Sequence, residues 1–407
     1  METYQDIIVI GGGPCGSFSA MHIAKKGVKV TVFEEHREIG VPSHCAGHIS
    51  IAGLKLLGLY PLPNKIIENI FYGAKLYSPS GLELSIHFSS PATCAVNRTL
   101  FDKHIARLAE KSGAHFHLNS RVESLNMKNA SVVGVNVRRG DRVVKVPARV
   151  VIDAEGLPAR MLKQAGLSPP KNSEIVNGFQ ADVEKVKDVE QEFVEIFLGN
   201  SYAPSFFAWI IPKRYDMAKV GLAAREGNPR ELLRKLMEKH PAASKKLRGA
   251  KIIRETFHPI SLGGPISKAY LNGFLVVGDA ASQVKPTTGG GLILGLSCAK
   301  IAAEVAFEAI ERGDFSSKFL HTYQGRCAKL LSFDMKVMRG IRRMLNKMSD
   351  EKLDAIMNFY KRIRLEKAIG NLEEIDFQGR ALLKKGKNPK ILAALAYFLF
   401  TYLSARV

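Results

Sequence analysis

The segment that decides the fold is residues 6–16, which read DIIVIGGGPCG. Its first five residues form a short, largely apolar run, which is typical of a buried parallel strand. The glycines then match the pattern GxGxxG, and residues 17–26 predict a helix that Gly27 ends. Residues 28–33, VKVTVF, predict a second strand. The pattern therefore predicts a β-α-β unit with a glycine-rich turn after its first strand.

Each glycine of this turn has a separate role in a dinucleotide site. Gly11 permits the tight turn, Gly13 lets the backbone approach a pyrophosphate, and Gly16 lets the helix pack closely on the strand. Pro14 and Cys15 complete the turn, where the N terminus of the helix faces the phosphates. The prediction is a bound dinucleotide, and the alternative is a glycine-rich turn without a ligand.

Two acidic residues follow the second predicted strand. Glu34 ends that strand, where its carboxylate can accept hydrogen bonds from ribose hydroxyls, and Glu35 comes next. An acid at this position supports the dinucleotide prediction.

A second motif, VVGDAASQVKPTTGGG at residues 276–291, distinguishes FAD from NAD. A buried-strand pattern leads into Asp279, which can bond a ribityl hydroxyl. The glycines at residues 289–291 let backbone N–H groups approach the isoalloxazine at a helix start, next to Leu292. Because this motif lies far along the chain from the first, the chain is expected to return and close one cofactor site.

The composition of the chain limits the classes of protein to which it can belong. The chain has 407 residues, 46% of them hydrophobic, which excludes wholesale disorder. Its net charge of +21 suits an anionic membrane face or a phosphorylated substrate, and no nucleic-acid motif accompanies it. The five cysteines lie singly without a CxxC pair, so no metal or iron–sulfur site is predicted. The first residues, METYQ, lack the basic segment of an export signal, so a cytoplasmic protein is expected.

With both motifs in place, the sequence resembles the flavoprotein monooxygenase-like superfamily, whose members have the para-hydroxybenzoate hydroxylase fold. Residues 153–156, DAEG, resemble the Asp-Gly motif of that family with two residues inserted, and Ala159 stands at its serine position. Residues 97–102, NRTLFD, resemble the family's arginine at the entry to a helix near the FAD, here Arg98. The alternative for Arg98 is a surface salt bridge.

Within that superfamily, three features resemble the geranylgeranyl reductase family, of the archaeal type that acts on ether lipids. Residues 42–47, PSHCAG, resemble the family's segment near the flavin, which has a central cysteine, here Cys45. Residues 207–213, FAWIIPK, followed by Gly221, resemble its aromatic-x-Trp-x-Phe-Pro motif, which lines an isoprenoid tunnel. Phe207 replaces the commoner tyrosine, and Ile211 replaces phenylalanine. The third feature is a basic, mostly helical C-terminal extension, which matches only in kind.

These residues also have structural interpretations. Trp209 could serve only to pack a strand in the core, and a free cysteine such as Cys45 is commonly a small buried hydrophobe. His44 and His48 flank Cys45 as candidate proton carriers, or else as solvated loop residues. The proton donor stays open between Cys45, His44, the reduced flavin and a water molecule.

The predicted fold is an α/β, Rossmann-type FAD-binding domain (glutathione reductase 2, para-hydroxybenzoate hydroxylase-like). It carries an inserted antiparallel-sheet substrate domain and a C-terminal helical region. The FAD-binding domain is predicted over residues 1–72, 96–165 and 268–313. Residues 73–95 and 166–267 form the predicted substrate domain, because alternating apolar segments in that region predict an antiparallel sheet. Residues 314–407 are the basic helical region.

The resemblance implies an FAD-dependent oxidoreductase acting on CH–CH groups. It would saturate isolated C=C bonds of geranylgeranyl chains in isoprenoid ether lipids, with hydride from reduced flavin. Electrons are expected from a transient donor, NAD(P)H or a reduced ferredoxin, because no second GxGxxG follows a strand pattern. The alternatives are a flavin-dependent hydroxylase or epoxidase of an apolar substrate, a quinone-linked dehydrogenase, and a FAD-stabilised membrane-bound scaffold without activity.

The resemblance and the motifs together assign the candidate site residues. The predicted catalytic residues are Cys45, Trp209 and Phe207. The predicted substrate-binding residues are Phe207, Trp209, Pro212 and Gly221. The predicted cofactor-binding residues are Gly11, Gly13, Pro14, Cys15, Gly16, Glu34, Glu35, Cys45, Ala46, Gly47, Arg98, Asp279, Gly289, Gly290, Gly291 and Leu292.

The tail carries much of the positive charge. Residues 314–407 hold 19 Lys and Arg against nine Asp and Glu, a net charge of +10. Residues 391–405, ILAALAYFLFTYLSA, are apolar nearly all round but shorter than the roughly 18 residues of a spanning helix. Four lysines precede them, at residues 384, 385, 387 and 390. The prediction is peripheral attachment to a membrane surface, and the alternative is a helix buried in the protein or in a dimer.

Overall fold

The structure is a computed structural model that describes residues 5–370 and 374–404. Two expectations reach beyond the described residues: the one about an export signal rests mainly on residues 1–4, and the apolar run of the tail has its last residue, Ala405, outside them. The strands of the described residues are, in chain order, β1 (Gln5–Ile10), β2 (Val30–Phe33), β3 (His48–Ser50), β4 (Ile67–Phe71), β5 (Gly73–Tyr77), β6 (Glu83–His87), β7 (Thr93–Val96), β8 (His115–His117), β9 (Ser120–Lys128), β10 (Ser131–Arg139), β11 (Arg142–Asp153), β12 (Ile175–Glu184), β13 (Phe193–Phe197), β14 (Ala208–Pro212), β15 (Ala218–Ala224), β16 (Lys251–Ser261), β17 (Tyr270–Leu271) and β18 (Phe274–Val276).

Helices connect and cover these strands. The α-helices of the described residues are α1 (Pro14–Ala24), α2 (Ile51–Leu56), α3 (Arg98–Lys111), α4 (Arg160–Gln164), α5 (Pro229–Lys239), α6 (Ala243–Leu247), α7 (Leu292–Arg312), α8 (Ser317–Leu345), α9 (Asp350–Arg362), α10 (Glu366–Ile369), α11 (Gln378–Lys385) and α12 (Pro389–Leu403). Short 3-10 helices lie at Asn64–Ile66, Asn172–Glu174 and Gly278–Ala281.

The structure confirms the predicted β-α-β unit and corrects its bounds. α1 begins at Pro14 rather than residue 17, because proline suits the first turn of a helix, where its missing N–H has no partner to lose. β2 begins at Val30 rather than residue 28. β5 and β6 pair antiparallel as a hairpin.

The chain divides into two compact units. The first unit contains residues 1–43, 98–174 and 261–332, and the second contains residues 44–97, 175–260 and 333–407. Each unit has its own sheets and its own core.

The first unit is built on a mainly parallel sheet with the order β17-β18-β11-β1-β2-β8. β1 pairs parallel with both β11 and β2, so its apolar side chains are buried on both faces, as the sequence pattern predicted. Four strands, β1, β2, β11 and β18, end side by side, because Ile10 pairs with Phe33 and with Asp153, and Asp153 pairs with Val276. β9, β10 and β11 form an antiparallel meander.

The second unit is built on a seven-stranded sheet with the order β16-β12-β15-β14-β13-β5-β6, here called the large sheet because it is the larger of the two sheets of this unit. β12, β15, β14 and β13 pair antiparallel, as predicted, whereas β13 and β5 pair parallel. Alternate residues of a strand point to opposite faces. One face of the large sheet packs on α5 and α6 through a core that includes Phe197, Ile210, Leu222, Leu233 and Leu236.

The opposite face of the large sheet, on the side away from α5 and α6, is here called the open face. Part of it packs against a small sheet with the order β3-β7-β4. Phe71 and Ala95 of the small sheet join Val194 and Ile211 of the large sheet in one apolar cluster. Trp209 packs against the same cluster.

The compact units follow boundaries that differ from the domains expected from sequence. Residues 44–72, expected in the FAD-binding domain, belong to the second unit, because β3 and β4 pair with β7. Residues 166–174 and 261–267 belong to the first unit, where Leu262 N–H donates to Glu174 O at 2.8 Å. Residues 314–407 are divided between the units within α8, so the helical tail is not a separate compact unit.

The last helix, α12, has one buried and one exposed face. Ile391, Ala394 and neighbouring apolar residues pack against side chains of the preceding helices. Leu392, Leu399, Phe400 and Leu403 are exposed, and their spacing places them on one face of the helix. Among residues 5–370 and 374–404, no helix combines the length and the apolar composition needed to cross a membrane.

Candidate functional site

The glycine-rich turn between β1 and α1 has the geometry that its three glycines predict. Gly11 has φ +92°, and a Cβ there would lie 2.7 Å from Ala154 O. A Cβ at Gly16 would lie 2.0 Å from Gly11 O, so only glycine lets α1 approach the turn. A Cβ at Gly13 would meet no protein atom within 4 Å. Gly13 is also the N-cap of α1, so the helix N terminus faces open space of the kind that a pyrophosphate needs.

Glu34 ties the end of β2 to this turn. Its Oε2 accepts a hydrogen bond from Gly12 N–H at 2.7 Å, and its Oε1 accepts one from His36 N–H at 2.9 Å. His36 Nδ1 also lies 2.6 Å from Glu34 Oε1, so of the about four acceptor positions of a carboxylate one is left for a ribose hydroxyl. Glu35, in contrast, is exposed and lies 3.5 Å from Arg121 Nε.

The second motif is supported by a hydrogen-bond network that sequence reasoning missed. Gly278 N–H donates to Gln283 Oε1 at 2.8 Å, and Gln283 Nε2 donates to the hydroxyl of Tyr323 at 2.7 Å. Tyr323 in turn donates to Val276 O at 2.8 Å. Because Tyr323 is fully buried and its donors and acceptors return to the same turn, the network fixes the backbone around Asp279.

The structure brings the two motifs together within the first unit. A Cβ at Gly278 would lie 3.0 Å from Cys15 Sγ, and one at Gly295 of α7 would lie 2.8 Å from it, so Cys15 sits against both. A Cβ at Gly291 would lie 3.0 Å from Asp279 Oδ1. Burial raises the pKa of the Cys15 thiol, and the nearby Asp279 carboxylate raises it further. Cys15 is therefore a packing residue of the turn rather than a reactive thiol.

Arg98 begins α3 and forms a salt bridge, which was the alternative to a position near the FAD. Its Nε and Nη2 each lie 3.0 Å from a carboxylate oxygen of Asp102, one helical turn away. The Arg98 side chain is mostly buried, so this pair is more than a solvated surface contact. The Arg98 guanidinium lowers the pKa of the Cys15 thiol and the Asp102 carboxylate raises it, so the two charges have opposite effects at the glycine-rich turn.

A pair of acids lies where β11 ends beside β1. Asp153 is fully buried, and its Oδ1 accepts a hydrogen bond from Glu155 N–H at 3.1 Å. Burial, with the Glu155 carboxylate beside it, raises the pKa of Asp153 well above its usual range. Glu155 Oε1 accepts a hydrogen bond from Met161 N–H at 2.6 Å, so these acids shape the backbone that faces Gly11.

In the second unit, Trp209 and Gly221 form a matched pair. They lie directly opposite each other on β14 and β15. A Cβ at Gly221 would lie 2.6 Å from Trp209 Cζ2, so glycine is what allows the indole to lie across β15. Phe207 meets Trp209 edge-on at a centroid distance of 6.0 Å and stacks on Phe206 at 4.2 Å. Pro212, by strand alternation, lies on the face opposite Trp209.

The Cys45 segment is seated on the open face of the large sheet. Ala46 packs against the apolar cluster that Trp209 also contacts. Gly47, at φ +76°, donates its N–H to Cys45 Sγ at 3.4 Å and accepts a hydrogen bond from Val96 N–H. Cys45 itself is exposed, which differs from the small buried hydrophobe considered from sequence. The structure thus brings Cys45, Ala46 and Trp209 together in one unit.

The residues of the first unit fit a bound FAD. Open space at the N-cap of α1, carboxylates at Glu34 and Asp279, and glycines at the start of α7 match the donors, acceptors and clearances that a dinucleotide requires. Gly13, Gly289 and Gly290 are the residues whose backbone would hold it. In the part of the chain that the structure describes, no cluster of three or more His, Cys, Asp or Glu side chains could hold a metal ion.

Fold and site define a FAD-binding flavoprotein whose second unit is built on a mainly antiparallel sheet. The FAD binding domain family matches residues 4–333. The chain is 36% identical to digeranylgeranylglycerophospholipid reductase 2 of Methanothermobacter thermautotrophicus, over 86% of this chain and 90% of the relative. It is 33% identical to the protein of that name from Methanopyrus kandleri, over 93% and 96%. The chain belongs to the digeranylgeranylglycerophospholipid reductase family.

Solved structures agree with this assignment. A geranylgeranyl bacteriochlorophyll reductase-like protein from Thermoplasma acidophilum superposes with a TM-score of 0.86 at 27% identity, covering 97% of this chain and 99% of that one. The flavin-dependent brominase Bmp2 superposes with a TM-score of 0.72 at 18% identity, covering 94% and 99%, and shows the shared fold alone.

Proposed function

We propose that this protein is a FAD-dependent reductase that saturates isolated C=C bonds in the geranylgeranyl chains of a digeranylgeranylglycerophospholipid. Relatives that bear this name align over nearly the whole chain. The observation that carries the proposal is the open face of the large sheet, where the Trp209 indole lies across Gly221 beside the Cys45 segment. An apolar surface of this kind suits an isoprenoid chain, which offers no polar group for recognition.

Trp209 is poorly explained by core packing alone. Among the described residues, its indole N–H is buried and has no hydrogen-bond acceptor. A buried donor without a partner is destabilising by about 1–3 kcal/mol. A residue that served only stability would not keep this group here, so the position favours contact with a ligand.

The reaction sets demands that these residues meet. When bound, FAD supplies hydride in its reduced form. An isolated C=C has no carbonyl to accept charge, so the protein must hold the chain in place and keep bulk water away. The buried apolar cluster of Phe71, Ala95, Val194 and Ile211, with Trp209 packed against it, would provide an apolar wall for this purpose. Cys45, exposed at the edge of this cluster, is the candidate to hold a proton at its Sγ.

The electron donor is proposed to be transient. The sequence has no second GxGxxG after a strand pattern, which favours NAD(P)H or a reduced ferredoxin that docks and leaves. The net charge of +21 suits an acidic protein donor.

An anaerobic half-reaction tests the function. The protein is reduced with dithionite and mixed with a digeranylgeranylglycerophospholipid, while flavin absorbance and lipid mass are followed. Flavin reoxidation with two hydrogens gained for each bond is expected. If lipid leaves the flavin reduced, and oxygen with NADPH instead adds an oxygen atom to an apolar substrate, the chain is a monooxygenase.

We also propose that α12 attaches the protein to an anionic membrane surface, from which a lipid substrate is drawn. As a helix of 15 residues it is about 22 Å long, too short for the roughly 30 Å hydrocarbon core. Its exposed apolar stripe suits insertion at the interface instead, and Lys384 and Lys387 lie exposed just before it.

Vesicle sedimentation at low salt tests this attachment. Phe400→Glu and Leu403→Glu change exposed side chains, so they should preserve the fold yet greatly reduce pelleting with anionic vesicles. Tyr215→Glu places the same charge on another exposed aromatic residue and should pellet like the unchanged protein. Equal pelleting of all three variants would show that α12 is not the anchor. Aggregation of the protein after deletion of residues 389–407 would favour the alternative, in which α12 is needed for packing.

A further inference from the structure

A row of three aromatic rings leads from Trp209 to a buried arginine. Phe207 meets Trp209 edge-on, and Phe206 stacks on Phe207 at a centroid distance of 4.2 Å. The guanidinium carbon of Arg342, on α8, lies 4.7 Å from the centroid of the Phe206 ring. The aromatic row therefore joins the proposed substrate surface to a positive charge.

A second arginine, Arg225, lies at the same end of this surface. It directly follows the last residue of β15 and continues the row of alternate residues that contains Gly221 on the open face. Its backbone N–H donates to Pro204 O at 3.0 Å, which holds it beside Ser205. Arg342 Nη1 donates to Ser205 O at 3.2 Å. The two arginines therefore flank the same turn, which leads into Phe206 and Phe207.

The charge of Arg342 is only partly explained by its structural contacts. The residue is 6% exposed, and burial, followed by the Arg225 guanidinium, lowers its pKa to about 10, so it is still charged at neutral pH. Its place in the last turn of α8 stabilises one positive charge. Its hydrogen bond to Ser205 O does not require a charge, because the amide of Asn346, turned to satisfy both of its polar atoms, donates to the same oxygen at 3.0 Å.

Arg225 has no structural partner for its charge. It is exposed, and within residues 5–370 and 374–404 its guanidinium forms no hydrogen bond and no ion pair, not even with the adjacent Glu226. Its effect on Arg342 is repulsive. Two guanidinium groups that repel each other become favourable neighbours when an anion binds to both. A phosphate suits this arrangement, because its oxygens accept charge-assisted hydrogen bonds from arginine.

We propose that Arg225 and Arg342 form a phosphate subsite for the headgroup end of the lipid substrate. Arg225 binds the phosphate directly, and the buried Arg342 adds positive charge beside it. The isoprenoid chain would then run along Phe207 and Trp209. The assignment of the phosphate to a lipid rests on the proposed function, whereas the binding of a phosphate group by these arginines does not.

Binding of a lipid that cannot be reduced tests the proposal. Phytanyl phosphate is a saturated isoprenoid with a phosphate, phytanol is its neutral counterpart, and fluorescence of the single tryptophan of the FAD-loaded protein reports the binding of each. Arg225→Gln should weaken binding of phytanyl phosphate about tenfold, as expected for the loss of one charge-assisted hydrogen bond, and leave phytanol unaffected. Arg234→Gln removes an exposed arginine from α5, which packs on the other face of the large sheet, and should bind both lipids like the unchanged protein.

A charge reversal separates binding from folding. In Arg225→Glu the repulsion of Arg342 becomes an attraction, so the denaturant midpoint should not fall, while binding of phytanyl phosphate should be lost. Near-ultraviolet circular dichroism and FAD content show that each variant is folded. A lower midpoint in Arg225→Glu would overturn the proposal. So would unchanged binding of phytanyl phosphate in either Arg225 variant, or an equal loss of phytanol binding.

Two further measurements identify the source of the phosphate. Inorganic phosphate should displace phytanyl phosphate only at far higher concentrations, because it lacks the chain, and equal affinity would overturn the headgroup assignment. In the anaerobic half-reaction, Arg225→Gln should raise about tenfold the concentration of digeranylgeranylglycerophospholipid that gives half the maximal rate, with that rate unchanged. An unchanged concentration would also overturn the assignment. If the binding results hold while the unchanged protein reduces no lipid, the phosphate subsite stands and the proposed function fails.

Discussion

Replacing Gly221 by alanine tests the packing of the proposed substrate surface at one atom. Gly221 lies opposite Trp209, and its lack of a side chain leaves room for the indole. An added Cβ would lie 2.6 Å from Trp209 Cζ2, 2.7 Å from Trp209 Cε2 and 2.7 Å from Gln180 Cβ. Ordinary carbon contacts begin near 3.5 Å, so the ring must retreat by about 0.9 Å.

The expected cost follows from this displacement. Overpacking by one methyl group in a well-packed sheet costs about 1–3 kcal/mol of unfolding free energy. The position of Gly221 is not strained, since no positive φ is required there, so the loss comes from the clash with Trp209. Lipid turnover should fall as well if the indole lines the substrate surface, while FAD content should stay unchanged.

Intrinsic fluorescence provides a specific assay for this substitution. Trp209 is the single tryptophan, so intrinsic fluorescence reports on this side chain alone. Gly221→Ala should shift the emission spectrum and lower the denaturant midpoint. Gly340→Ala is the matched control, because a Cβ at that position of α8 would meet no atom within 4 Å and alanine favours a helix. An unshifted spectrum with undiminished stability in Gly221→Ala would refute the packing of Trp209 described above.

Five further substitutions test other parts of the molecule. Gly13→Val should fold normally yet lack FAD, because a side chain there meets open space in the protein, whereas Gly16→Ala should fail to fold. Flavin absorbance and circular dichroism distinguish these two results. A Gly13→Val protein with full FAD content would contradict the proposed cofactor site. Trp209→Ala should lose about 3 kcal/mol of stability, and both Trp209→Ala and Phe207→Ala should reduce lipid turnover with FAD retained, so unaltered turnover per folded molecule would leave only a core role. Burial lowers the pKa of His22 to about 4, so the folded state favours the neutral imidazole. The contribution of His22 to the unfolding free energy is therefore complete above pH 6.5 and is lost as the pH falls towards 4. Between pH 7 and pH 4.5, His22→Gln should therefore lose about 1–2 kcal/mol less than the unchanged protein in urea titrations, and an equal loss would contradict this.

Local patterns carried most of the information about the first unit. The β-α-β unit and its glycines could be identified from residues 6–34, because a tight turn, a close helix contact and a strand-end acid are each determined by neighbours in sequence. The same holds for the Gly278–Ala281 turn and the start of α7. The hydrogen-bond network that supports the Gly278–Ala281 turn was not predicted from sequence, because Gln283 and Tyr323 meet only when α8 packs against the turn.

Long-range pairing decided the rest. The sequence alone identified Cys45, Trp209 and Gly221 as candidate site residues, but it placed Cys45 in the FAD-binding domain. The pairing of β3 and β4 with β7 instead puts Cys45 in the second unit. Lys219 reads as an ordinary polar residue of an alternating strand. Its hydrogen bond to Cys45 O depends on the register of β15 against its neighbours, and a shift of one residue would turn Lys219 to the other face. Sequence periodicity determines which residues share a face, and only the paired strands determine which of them touch.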